Sequence, residues 1–153
     1  MALPAPPPRE EVLSRLSVQA QRRLYAPGGG TAINDVFLDL CLLEAWSEAH
    51  SITSAAFPQG LRNADGSIDP FVVGAVVDLC NGKAAGRHPN ATDASGYAKA
   101  AATARSTLEK LATDNLRRRS EGAGAPTAAL VVYSSPAATP WADIADGRTA
   151  SDL

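Results

Sequence analysis

Four carboxylates, Asp35, Asp39, Glu44 and Glu48, recur at four- and five-residue steps along one stretch, and they are the first residues that could do chemistry. Acids on one helical face can share a divalent cation or divide into a general acid and a general base. The plainer reading is a solvated polar face; the chemical one carries its own test, tight divalent-metal binding in calorimetry. The other reactive side chains offer less. His50 and His88 lie outside HxxxH and CxxC spacings and read as structural or surface histidines. No serine stands in GxSxG or SxxK, so nucleophilic catalysis lacks its local signature. Pro27-Gly28-Gly29-Gly30 has no Lys-Ser or Lys-Thr pair behind it and no strand before it, which leaves a turn rather than a phosphate loop. Cys41 and Cys80 sit in LDLCLLEAW and VVDLCNG, apolar helical settings that suit buried thiols in a reducing compartment. The expectation is a non-enzymatic chain with no catalytic residue, metal or cofactor.

The elements that would position these residues are helices. At 153 residues, 45% apolar and 20% charged, the chain is one domain with tails. Four of the first eight residues are prolines, which predicts an extended arm over 1–8 rather than part of a core. Val12, Leu13, Leu16, Ala20 and Leu24 then give one helix over 9–24. Thr31 is the expected N-cap of a second helix over 32–50, with a broad apolar stripe of Ile33, Phe37, Leu40, Cys41, Leu43, Ala45 and Trp46. That width predicts a central helix facing two neighbours. A linking stretch of about twenty residues follows, anchored by Phe57 and Leu61; loops of that length carry function or are held by a partner.

Asp69-Pro70 is an N-cap acid with proline at the first helical position, so a third helix starts there and presents Phe71, Val72, Ala75, Val76, Leu79 and Cys80. Gly74 inside it predicts close approach of another helix. The fourth helix runs from 93 to 121 on Tyr97, Ala101, Ala104, Leu108, Leu111 and Leu116, with Gly122 as its C-cap. Arg117, Arg118 and Arg119 in its last turns complement the helix dipole; the alternative is contact with an acidic partner or DNA. The body, residues 9–122, is expected to be all-α and like a four-helix bundle.

Beyond it, TAALVVYSSPAATPW reads as a strand followed by a proline-punctuated tail, residues 123–153. Leu130, Val131, Val132 and Tyr133 have no partner strand in the chain, which predicts β-augmentation onto another chain. Trp141 and Ile144 are the expected anchors in that partner's apolar pocket. The net charge of −2 and pI near 5.6 supply no basic field for duplex binding, and no short helix–turn–helix with a basic second helix occurs. No secretion signal is recognisable, and no apolar run approaches the roughly 18 residues of a membrane span.

The succession VFLDLCLLEAWSEAHSITSAAFPQGL, DGSIDPFVVGAVVDLCNGKAAGRHP and GYAKAAATARSTLEKLATD resembles the head-to-tail connector, or adaptor, proteins of tailed phages, and most of all the neck-protein group typified by phage Mu. Ala55, Ala56, Pro58 and Leu61 match the alanine-containing helix end and proline loop of that group. Pro70 matches its second helix start and Gly122 its third helix end. The resemblance spans about residues 32–125. It implies a helical subunit in a ring, commonly dodecameric, beneath the portal protein. Such a ring extends the channel through which genome DNA passes without sequence-specific binding, and it receives the next neck, stopper or tail protein. It also implies a C-terminal segment docking on the portal, and a virion neck location after synthesis in the host cytoplasm, with no membrane contact. The alternative reading is a small helical regulatory or chaperone-like protein-binding module, with Arg117 to Arg119 set against an acidic partner.

Overall fold

The computed structural model describes residues 3–26, 28–88 and 94–122, and these are all-α. The helices are α1 (Arg9–Ser14), α2 (Val18–Tyr25), α3 (Asp35–Thr53), α4 (Pro70–Arg87) and α5 (Ala94–Ser120). The expected strand Leu130 to Tyr133 and the anchors Trp141 and Ile144 lie outside the described residues.

Where one N-terminal helix was expected, two form. The Ser17 hydroxyl accepts from the Ala20 amide at 3.2 Å and so starts a new helix in mid-pattern. Gln21 then donates through Nε2 to the carbonyls of Leu13 and Leu16, at 2.7 and 3.1 Å, tying α2 back to the end of α1. Periodicity runs straight through this elbow because both short helices rest the same apolar stripe on the body.

α3 begins later than expected. Its N-cap is Asn34, whose Oδ1 accepts from the Phe37 amide at 3.0 Å, and not Thr31. Its buried face is Leu38, Cys41, Leu42, Ala45, Trp46, Ala49 and Thr53. Leu40 and Leu43, expected in the core stripe, point outward instead. α4 starts as the sequence predicts: Asp69 Oδ1 accepts from the Phe71 amide at 2.8 Å and proline occupies the first turn.

Glu44 meets Arg87 and Glu48 meets Lys83, so α3 and α4 run antiparallel. Gly82 faces Ala101 while Gly74 shares a groove with Thr103 and Thr107, so α4 and α5 are antiparallel too. α3, α4 and α5 thus run up, down and up, with the α1–α2 elbow packed on α3 and α4. One continuous apolar core lies between them, from Val12 and Tyr25 through Trp46 and Val76 to Leu108 and Leu111. Tyr97 is partly buried against it, but Leu116 is exposed.

The close approach predicted at Gly74 occurs at Gly82. A Cβ there would lie 2.5 Å from the Ala101 Cβ and 3.3 Å from the Tyr97 carbonyl oxygen, whereas at Gly74 it would meet only Arg15 Nη1, at 3.3 Å. Ala101 and Ala104 of α5 therefore serve packing inside the chain.

The stretch after α3 is held by its own contacts. Asn63 N–H donates to the Ser67 carbonyl at 2.8 Å, Asp65 Oδ1 accepts from the Ser67 amide and hydroxyl, and Gly66 takes φ +83°. An isolated antiparallel bridge joins Arg62 to Ile68, and Phe57 and Leu61 are buried as expected. The stretch, expected either to carry function or to be held by a partner, thus has bonds of its own.

The proline arm is extended but lies on the body. Trp46 Nε1 donates to the Pro4 carbonyl at 2.6 Å, Arg62 Nη2 to the Ala5 carbonyl at 2.5 Å, and Pro7 is buried. Prolines offer acceptors and no N–H, so donors from the body suffice to fix them.

Gly82→Ala is expected to destabilise the fold by ~1–3 kcal/mol through overpacking, although alanine for glycine in a free helix interior is worth about 1 kcal/mol in its favour. Gly74→Ala, meeting only the movable tip of Arg15, is expected to be neutral or stabilising. Denaturant titration of both variants checks the opposite signs; equal effects would remove the close approach as their cause.

Candidate functional site

The acid row of α3 comes first, because every member has a cationic partner. Arg9 reaches Asp35 at 3.2 Å and chelates Asp39 with both oxygens at 2.6 Å. Arg87 grips Glu44 with Nη2 at 2.7 and 2.9 Å. Glu48 holds Lys83 through one oxygen and Arg105 through the other, each at 2.5 Å. The row joins α3 to α1, α4 and α5 in turn. Carboxylates engaged in this way are poor ligands and poor bases, and no cluster of three metal-ligating side chains occurs among the described residues.

Glu48 is the most enclosed of the four, with its side chain 23% exposed and that of Lys83 22%. Burial alone would push its carboxyl up; the hydrogen bonds of Arg105 and Lys83 outweigh that and hold it below the ordinary value.

The remaining candidates are packed into the core or against aromatic rings. Tyr25 donates its hydroxyl to Asn81 Oδ1 at 2.7 Å and lies 3.3 Å from Cys80 Sγ, all three buried. Burial pushes the Cys80 thiol up to about 12 and raises the Tyr25 hydroxyl as well. Cys41 is buried and also raised, burial outweighing the nearby Arg87. These are the buried, unpaired thiols that their sequence contexts predict. His50 packs edge-on against Trp46 with ring centroids 4.3 Å apart, and burial lowers its pKa. His88 packs against Phe37 at 5.1 Å.

Two shallow hollows flank Arg15 where the elbow crosses α4 and α5. One, of about 440 Å³, is lined by Leu16, Asp78, Asn81 and Tyr97; the other, of about 300 Å³, by Phe71, Asp78 and Thr107. Each exposes one cation, Arg15, and one anion, Asp78, on a small-residue floor, and burial pushes the Asp78 carboxyl up.

What remains is a surface. Val36, Leu40 and Leu43 on α3 are 79%, 47% and 51% exposed. Their i, i+4, i+7 spacing places them in one line, on the side of α3 away from the buried residues. Single exposed aliphatics are ordinary, and a helical line of them is a candidate interaction face. The sequence carried the signal, since α3 is apolar on more than one side; both sides were assigned to the bundle. Arg117, Arg118 and Arg119 close α5 as predicted, with Arg117 3.9 Å from Glu121 and the chain turning at Gly122 with φ +79°. They do not adjoin the acid row: α5 runs parallel to α3, and Arg105 already lies level with Glu48 near the end of α3.

Comparison with family models, with curated proteins and with solved structures returns no match.

Glu48→Gln leaves Lys83 and Arg105 without their anion and is expected to cost ~1–2 kcal/mol, between exposed and fully buried pairs. Because the folded carboxyl lies below its ordinary 4.5, its contribution is present above that pH and fades as pH falls through the lowered folded value. Thermal melts from pH 7 to 3 check this: the wild type should lose the difference toward acid, converging with the variant. A constant gap across that range would contradict the ion-pair account.

Proposed function

We propose that the chain is a structural head-to-tail connector of a tailed phage or prophage, non-enzymatic, forming a ring beneath the portal protein. In this reading it extends the DNA channel and receives the next neck or tail component. The observation that carries it is the line Val36, Leu40 and Leu43, exposed on a helix, α3, whose own acids are turned to internal bracing. The all-α body and the resemblance of residues 32–125 to adaptor proteins support the same reading.

The tail, with Leu130 to Tyr133 and the anchors Trp141 and Ile144, is the segment proposed to dock. β-augmentation needs an exposed strand edge. The described residues hold one isolated bridge, Arg62 to Ile68, and no strand. That favours the portal, rather than the body of a neighbouring subunit, as the strand's partner. Arg117 to Arg119 are proposed to face DNA or an acidic partner surface, through phosphate or carboxylate contacts without sequence readout.

Co-purification with a tailed-phage portal protein tests the reading. The full chain should bind the portal and rise in mass to a ring; deletion of residues 127–153 should abolish binding while leaving helical content unchanged. Unchanged binding by the deletion would sink the docking role of the tail, and no binding by the full chain would sink the connector.

A further inference from the structure

The exposed line on α3 has a charged rim. Asp35 and Asp39 border it on one side and Glu44 on the other, and these three carboxylates share two guanidiniums, Arg9 and Arg87. The rim therefore keeps a net negative charge around an apolar centre.

The outward face of α5 has the opposite character. Lys99, Ala102, Ser106, Lys110 and Thr113 are all exposed and lie within one helical stripe, opposite the buried Ala101, Ala104, Leu108 and Leu111. The ammonium groups of Lys99 and Lys110 have no hydrogen bond or ion pair among the described residues. Two carboxylates, Glu109 and Asp114, stand to either side of the stripe. Between the lysines the surface is small-sided, so a helix carrying larger aliphatics can approach closely.

We infer that the Val36–Leu40–Leu43 face of α3 binds the Lys99–Lys110 face of α5 on a second copy of the chain. The inference deepens the connector reading by assigning the ring's contact surface. Three aliphatics and a charged rim are less than the roughly 800 Å² per partner of a standard stable interface, so one contact alone is weak. Because the two faces lie on different helices the contact is heterologous, and each copy can use both at once. Ring closure then adds the second contact at high effective concentration. The acid-to-lysine rim gives the contact a salt dependence.

Cysteine placement tests the geometry on the full chain, since native Cys41 and Cys80 are both fully buried and silent. Leu40→Cys and Ala102→Cys are made separately and treated with a short bismaleimide at near-millimolar protein. A one-to-one mixture should give a crosslinked dimer and the protein with both substitutions a ladder, while each single variant alone should give little. Crosslinking of Leu40→Cys with itself, or no crosslink in the mixture, overturns the pairing. In parallel, Leu40→Lys/Leu43→Lys should keep its circular dichroism spectrum and weaken self-association in sedimentation at least tenfold. Concentrated salt should weaken the wild type in the same direction. A wild type that stays monomeric up to near-millimolar concentration, or a double variant that associates unchanged, refutes the inference. Portal binding is scored separately: self-association without it would end the connector reading and leave this contact standing, and the reverse pattern would do the opposite.

Discussion

The approach of α4 to α5 at Gly82 and Ala101 is the constraint on which the other contacts depend. With no side chain at 82 and a methyl at 101, the two helices meet at backbone distance, and Tyr97 and Ala104 are brought against the same wall. That spacing sets the plane across which α3 lies, and so decides that Lys83 on α4 and Arg105 on α5 converge on a single carboxylate of α3. A wider pair would place one of those cations out of reach of Glu48. The α1–α2 elbow rests on α3 and on the α4 of that pair, with Arg15 laid over Gly74.

Within that frame the acids of α3 act as bracing. Arg9, Arg87, Lys83 and Arg105 come from three other helices and land on successive acids of one helix, which fixes the rotation and axial register of α3. Exposed pairs of this kind contribute little each, typically 0.2–1 kcal/mol. Their larger effect here is orientation: α3 is apolar on more than one side, so burial alone does not choose which side faces in. The charge pattern selects Leu38, Cys41, Leu42, Ala45 and Ala49 for the core and leaves Val36, Leu40 and Leu43 outside.

The N-terminal arm shows the same logic with hydrogen bonds. A run of prolines cannot join a ladder, but its carbonyls remain strong acceptors. Trp46 and Arg62, one from the core helix and one from the loop after it, each supply a donor. The loop is self-bonded through Asn63, Asp65 and Ser67, so Arg62 is already placed when the arm arrives.

The sequence by itself determined the elements that local chemistry controls. Asp69-Pro70 starts α4, Gly122 closes α5, Phe57 and Leu61 anchor the loop, and both cysteines are buried, because caps, turns and apolar burial are written in neighbouring residues. The splitting of the first helix at Ser17 was missed, since a serine inside a continuous period is silent until Gln21 folds back onto it. Only the tertiary structure decided the orientation of α3, the use of Gly82 rather than Gly74 as the contact glycine, and the partners of Asp35, Asp39, Glu44 and Glu48. Those depend on distances between residues about twenty to nearly sixty positions apart. A row of acids reads the same in sequence whether it faces water, a metal or three arginines and a lysine. Packing of α3, α4 and α5 is what brings the cations to it.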